Sequence, residues 1–150
     1  MPLTYSNEDY YFAGLFDGEG SVSVLSGCGS EGPRRTRICV RLSMADRRPI
    51  EQLKKRFGGG ITVSKRKKPY LDMHSWYAYG ANAVEALTLF EALSVCKTAQ
   101  CTLALRAIEL TEMTKTRRKG ARIGTQLFTE EELHERIALS TQVKALNKAS

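Results

Sequence analysis

The sequence predicts an α+β fold: a four-stranded antiparallel sheet with helices on one face. Three observations carry this. Segments of alternating polarity come in two adjacent pairs. Segments of helical periodicity precede and follow each pair. Glycine, proline and capping residues mark most junctions. The predicted order is α-β-β-α-β-β-α-α with an extra C-terminal helix, one domain spanning residues 1–150.

Ser6 reads as an N-cap, with Asp9 three residues on, so a helix runs from about Asn7 to Asp17. Gly18-Glu19-Gly20 ends it, and "SVSVL" from Ser21 is a strand. Gly27 to Pro33 forms a loop. "RTRICVRL" is the clearest strand: Arg35, Arg37, Cys39 and Arg41 point one way, and Thr36, Ile38, Val40 and Leu42 the other. One sheet face is therefore basic and the other is core. Pro49 sits in the first turn of a short helix, with Ile50, Leu53 and Phe57 on one stripe. Gly58-Gly59-Gly60 breaks it.

"ITVSKRKK" is a third strand, with Ile61 and Val63 toward the core and Thr62, Ser64 and Arg66 outward. Pro69-Tyr70 lies in a turn. His74 to Gly80 forms a fourth strand, in which Trp76 and Ala78 face the core and Ser75, Tyr77 and Tyr79 face out. Asn82 is expected to cap a helix that buries Val84, Leu87, Phe90 and Leu93. Another helix starts near Lys97 and carries Leu103, Leu105, Ile108 and Leu110. A basic linker, "KTRRKGARIG", follows. Thr129 and Glu132 then form a capping box before a final helix ending near residue 147.

Charge narrows the function classes. The net charge is +7, yet Arg34 to Lys68 holds 13 basic and 2 acidic residues, a local +11 against −4 elsewhere. A basic region on a balanced body reads as a polyanion-binding surface, with a solvated lysine-rich face as the competing reading. No apolar run approaches the ~20 residues of a membrane span, so no membrane partner is expected. The polar opening "MPLTYSNEDYY" is unlike a secretory signal. Four cysteines (Cys28, Cys39, Cys96, Cys101) form no C-x-x-C, and His74 and His134 are not spaced with them as a zinc set. They read as free thiols in a reducing compartment. The expected location is intracellular, with cytoplasm and organelle (mitochondrion or chloroplast) not distinguishable.

The most informative stretch is "FAGLFDGEG", Phe12 to Gly20. Ala13, Gly14 and Gly18 allow another backbone to approach closely, and Gly14 and Gly18 share one helix face. Pairing with a second helix is one use of that face; a tight local fold is the other. Asp17 and Glu19 lie where the helix dipole disfavours negative charge. A hard cation held by Glu19 and a nearby carbonyl would compensate. An EF-hand loop is a poor fit: Asp17-Gly18-Glu19 begins one, but its twelfth position would be Cys28.

These nine residues resemble the LAGLIDADG signature of homing endonucleases. The element order, "FGGG" after a short helix, the Trp-bearing fourth strand and "LFTEEEL…KALN" are family-like too, so the resemblance covers roughly residues 7 to 147. It implies a metal-dependent, site-specific endonuclease cutting both strands of a long, nearly palindromic duplex and leaving short 3′ overhangs. With one motif copy it implies a homodimer, with Ala13, Gly14 and Gly18 at the interface. It implies that Glu19 and the Gly18 carbonyl hold Mg²⁺, which Ca²⁺ or Mn²⁺ may replace, and that Lys97 acts beside them. Many relatives place a glutamine near the bottom of the second strand. Here that position falls on Ser43 or Met44, so Ser43, Arg47 or Arg48 would order water instead.

On this reading the outward sheet face enters the DNA major groove. Its candidate readers are Ser21, Ser23, Arg35, Arg37, Arg41, Thr62, Ser64, Arg66, Ser75 and Tyr77. Lys67, Lys68, Arg117, Arg118 and Lys119 would touch phosphates. Two alternatives share the scaffold: an intron RNA maturase, and a DNA-binding regulator without catalysis.

Overall fold

The computed structural model describes residues 3–26, 36–118 and 129–149. Its elements are α1 (Asn7–Glu19), β1 (Gly20–Ser26), β2 (Thr36–Met44), α2 (Arg47–Phe57), β3 (Gly60–Ser64), β4 (Met73–Ala78), α3 (Gly80–Leu93), α4 (Thr98–Arg118) and α5 (Glu130–Ala149). The strands form one antiparallel sheet in the order β1-β2-β4-β3. Each predicted strand pair is a hairpin, and β2 and β4 join the two hairpins at the sheet centre.

Side-chain parity fixes which face is buried. Val22, Val24, Ile38, Val40, Leu42, Trp76 and Ala78 face the helices and are buried. Phe12, Phe16, Phe57 and Phe90 complete an aromatic centre with Trp76. Phe16 and Phe90 stack at 4.2 Å, and Phe57 lies 5.9 Å from both Phe12 and Trp76. The Trp76 indole also donates to the Gly58 carbonyl at 2.8 Å, which satisfies its polar edge.

The helix ends explain several boundaries. Ser6 and Asp9 exchange hydrogen bonds in a capping box, Asp9 N–H to Ser6 Oγ at 3.1 Å and Ser6 N–H to Asp9 Oδ2 at 2.9 Å. Asp46 caps α2 by accepting from the Arg48 amide at 2.9 Å, so α2 starts at Arg47, before Pro49. Asn82 does not cap α3. Tyr79 is the N-cap. With its amide oriented to satisfy both groups, Asn82 instead donates to the Phe57 carbonyl and accepts from the Gly59 amide, each at 3.2 Å. It thereby closes the end of α2. The capping box of Thr129 and Glu132 forms as expected.

Other expectations shift. In α3 the inward face is Ala83, Ala86, Leu87, Leu89 and Phe90, with Val84 only half-buried. In α4, Cys101, Ala104, Ala107 and Leu110 face inward, while Leu103, Leu105 and Ile108 pack at the margins. The small side chains let α4 lie close against α3, and the larger ones fill the flanks. Val63 faces the helix side by register but is 51% exposed, because β3 is an edge strand beyond the helix cover. The opposite edge, β1, is screened by α5, whose Asn147 side-chain amide donates to the Val22 carbonyl at 2.9 Å.

Candidate active site and nucleic-acid interface

The acidic joint at the end of α1 contains two carboxylates with different surroundings. Asp17 reaches the turn between α3 and α4. Its Oδ1 accepts from the Ser94 hydroxyl and, at 3.1 Å, from the Cys96 amide; its Oδ2 accepts from the Val95 amide at 2.8 Å. Partial burial works against ionisation. The Ser94 hydroxyl, the two amides and the Lys97 charge outweigh it and hold the carboxyl below its ordinary range. Glu19 is exposed and makes no hydrogen bond or ion pair with any described residue.

Lys97 comes back from the same turn. Its ammonium donates to the Phe16 carbonyl at 3.0 Å and to the Gly20 carbonyl at 2.5 Å, and lies 5.5 Å from the Phe16 ring centroid. No basic residue occupies the last turn of α1. A lysine distant in sequence thus supplies the positive charge that this helix end favours. Gly20 has extended backbone, so sterics explain it: a Cβ there would lie 2.1 Å from the Phe16 ring.

Ala13 lies on the inward face of α1. It is 2% exposed within the single chain's core, because it shares the inward face of α1 with Phe12 and Phe16. Gly14 and Gly18 are exposed, and a Cβ on either would meet nothing within 4 Å. The open face of α1 is therefore glycine-lined, with exposed Tyr11 beside it.

The outward sheet face begins next to this joint. Gly20 pairs with Leu42, so Ser43, one step further along β2, lies at the Glu19 end of the sheet. A row across the strands joins Ser43, Ser75 and Thr62, with the two serine hydroxyls 2.7 Å apart. The next row is Ser21, Arg41 and Tyr77. Ser43 therefore lies on the outward side of β2, and Met44 turns toward the core. Arg47 and Arg48 are paired locally, with Glu51 and Asp46 respectively.

Arg37, Arg41, Ser21, Thr62, Ser64 and Arg66 are exposed, Ser23 and Tyr77 half-buried, and Ser75 nearly closed off at 8% exposure. Cys39 departs from a wet face: it is 5% exposed, and its thiol donates to the Val40 carbonyl at 3.7 Å. The Arg37 guanidinium lies over the Tyr79 ring at 4.7 Å. Tyr79 shares this outward face with Arg37 but is absent from the candidate readers, although its alternation with Ser75 and Tyr77 is the signal. Lys67 and Lys68 are exposed between β3 and β4. Arg35 and Lys119 lie outside the described residues, and Arg117 and Arg118 are described only as the last residues of α4.

Hard-oxygen chemistry at Glu19 suits a divalent cation. Among the described residues, however, no group of three or more His, Cys, Asp or Glu side chains could hold a metal ion. One chain's donors fit such an ion only as part of a shell that other molecules complete.

No family sequence model matches this chain, and no curated protein sequence is significantly similar to it. Solved structures share its fold. The homing endonuclease I-CvuI in complex with its target, in the presence of calcium, superposes with a TM-score of 0.66 at 18% identity, over 93% of this chain and 81% of that one. The homing endonuclease I-TnaI matches with a TM-score of 0.62 at 18% identity, over 99% of both chains. I-SmaMI bound to an uncleaved DNA target with calcium ions matches with a TM-score of 0.63 at 20% identity. That match covers 94% of this chain but 48% of I-SmaMI. The fold is that of LAGLIDADG homing endonucleases.

Proposed function

We propose that this protein is a LAGLIDADG homing endonuclease that acts as a homodimer and cuts both strands of a long, nearly palindromic DNA site. The observation that carries this reading is Glu19. It is a carboxylate without a partner among the described residues, at the end of a helix whose open face is lined by Gly14 and Gly18. Several neighbouring structures of this fold are DNA complexes, which supports duplex DNA as the substrate. The chain spans about half of I-SmaMI, which supports two copies per working unit.

In this reading the Gly14 and Gly18 faces of two copies meet, and small residues let the helices approach. The two Glu19 carboxylates then lie side by side between the paired sheets, each beside one scissile phosphate across the minor groove. Glu19 and the Gly18 carbonyl would hold a divalent cation, Mg²⁺ by preference. Such an ion, when bound, activates water and neutralises charge on the phosphate. Lys97 keeps an ammonium at the same junction, where it polarises the attacking water and offsets charge developing on the leaving oxygen. Ser43, held by Ser75, orders water where relatives use glutamine.

The outward face reads the major groove. Arg37 and Arg41, exposed on that face, pair bidentately with guanine in this reading, each good pair being worth ~1–3 kcal/mol of discrimination. Lys67, Lys68, Arg117, Arg118 and Lys119 hold phosphates. Mapping the products on a duplex selected from a randomised library tests the reading. Staggered cuts in both strands with 3′ overhangs, in Mg²⁺ and not in EDTA, are expected. Binding without nicking would replace it with a non-catalytic regulator, and stimulated splicing of an intron RNA without DNA cutting with a maturase.

A further inference from the structure

We propose that Asp17 and Ser94 are positioning residues, clasping the α3–α4 turn onto the end of α1 so that Glu19 and Lys97 are presented together. The proposal rests on the reading of Glu19 and Lys97 as active-site groups. Both Asp17 oxygens are committed to the turn, through the Ser94 hydroxyl and the Val95 and Cys96 amides. Asp17 thus has a role separate from metal binding.

The clasp is reciprocal. Ser94 Oγ donates to Asp17 and accepts from the Lys97 amide at 2.9 Å, fixing the backbone that carries Lys97. The Lys97 ammonium then returns to the Phe16 and Gly20 carbonyls. Residues 16 and 17 before Gly18-Glu19, and residue 20 after it, are all pinned, while Gly18 and Glu19 between them stay exposed.

Apolar packing does not hold this turn. Val95 is 87% exposed and Cys96 is exposed too. The hydrogen bonds set the turn's place, so loosening them moves Lys97 and the Glu19 peptide while leaving the aromatic core and the outward sheet face intact. Misplacing reacting groups by about 1 Å costs on the order of 10²-fold in rate.

Asp17→Asn, Ser94→Ala and Ser94→Thr test this on a duplex selected from a randomised library. Three quantities are measured: single-turnover cutting in Mg²⁺, DNA affinity in Ca²⁺, and amide hydrogen exchange at Val95 and Cys96 in the DNA-free protein. Asp17→Asn is expected to speed exchange at both amides and slow cutting on the order of 10²-fold with affinity unchanged. Ser94→Ala is expected to do the same to a lesser degree, and Ser94→Thr, which keeps the hydroxyl, to restore cutting. Cutting at the wild-type rate in Asp17→Asn and Ser94→Ala would overturn the proposal, as would loss of affinity in step with rate. Should Asp17→Asn fail to fold, the Ser94 pair decides. Glu19→Gln separates the two readings: if it cuts normally, the underlying reading and the clasp fall together. If it is inactive while the clasp variants cut normally, only the clasp falls.

Discussion

The two ends of α1 solve the same electrostatic problem in opposite ways. At the N-terminal end the groups come from the next turn: Ser6 and Asp9 satisfy each other, and acidic residues sit where the dipole favours them. At the C-terminal end no local charge helps. Two carboxylates oppose the dipole, and the compensating ammonium comes from Lys97, 81 positions beyond Phe16. A charge placed against local preference and rescued from a distance marks where function has overridden helix design.

Variants can sharpen or break that contrast. The largest stability effect is expected from Gly20→Ala, whose new methyl would run into the Phe16 ring. A loss of about 1–3 kcal/mol in urea unfolding is expected. Lys97→Met keeps the side chain's bulk and removes its charge, and should cost about 1–2 kcal/mol, near the upper range for a partly buried cation at a helix end. Ser6→Ala should cost about 1 kcal/mol, as an ordinary N-cap. If Ser6→Ala proved more damaging than Lys97→Met, the C-terminal end would not be the more tightly held one.

Acid should weaken both ends. At Asp9, the Ser6 amide bond is the largest influence; it and the Arg56 charge hold the carboxyl below its ordinary range, as the clasp does for Asp17. A lowered folded-state pKa stabilises the protein above the unfolded value, about 3.9, and that stability drains away as pH falls through the folded value. Urea midpoints should therefore hold steady from pH 7 to about 5 and fall below about 4, with a shallower fall in Asp17→Asn. On the DNA side, if the proposed dimer contacts about 8 phosphates, the log–log salt slope should be near −7.

Legibility in the sequence follows the same division. The strands, both hairpins and the buried Trp76 follow from alternation, because a one-sided sheet writes its burial into every second residue. The Ser6 and Thr129 caps were readable because their partners lie three residues away. Asn82 misled because its side chain serves another helix's end, and α4's inward alanines because small residues carry little hydrophobic signal. Glu19 entered through the helix dipole as well as the motif, and Lys97 through the resemblance alone; that Lys97 returns to the residues flanking Gly18 and Glu19 is beyond any local pattern. Ala13 belonged to the motif yet points into the core, since a nine-residue match does not say which side of the helix is covered.

Glu19→Gln, assayed for urea unfolding and for Mg²⁺-dependent plasmid cutting on one preparation, tests the division of labour in the acidic joint most directly. Glu19 has no described partner, so stability should stay at the wild-type value while double-strand cutting disappears. Cutting at the wild-type rate would contradict the account.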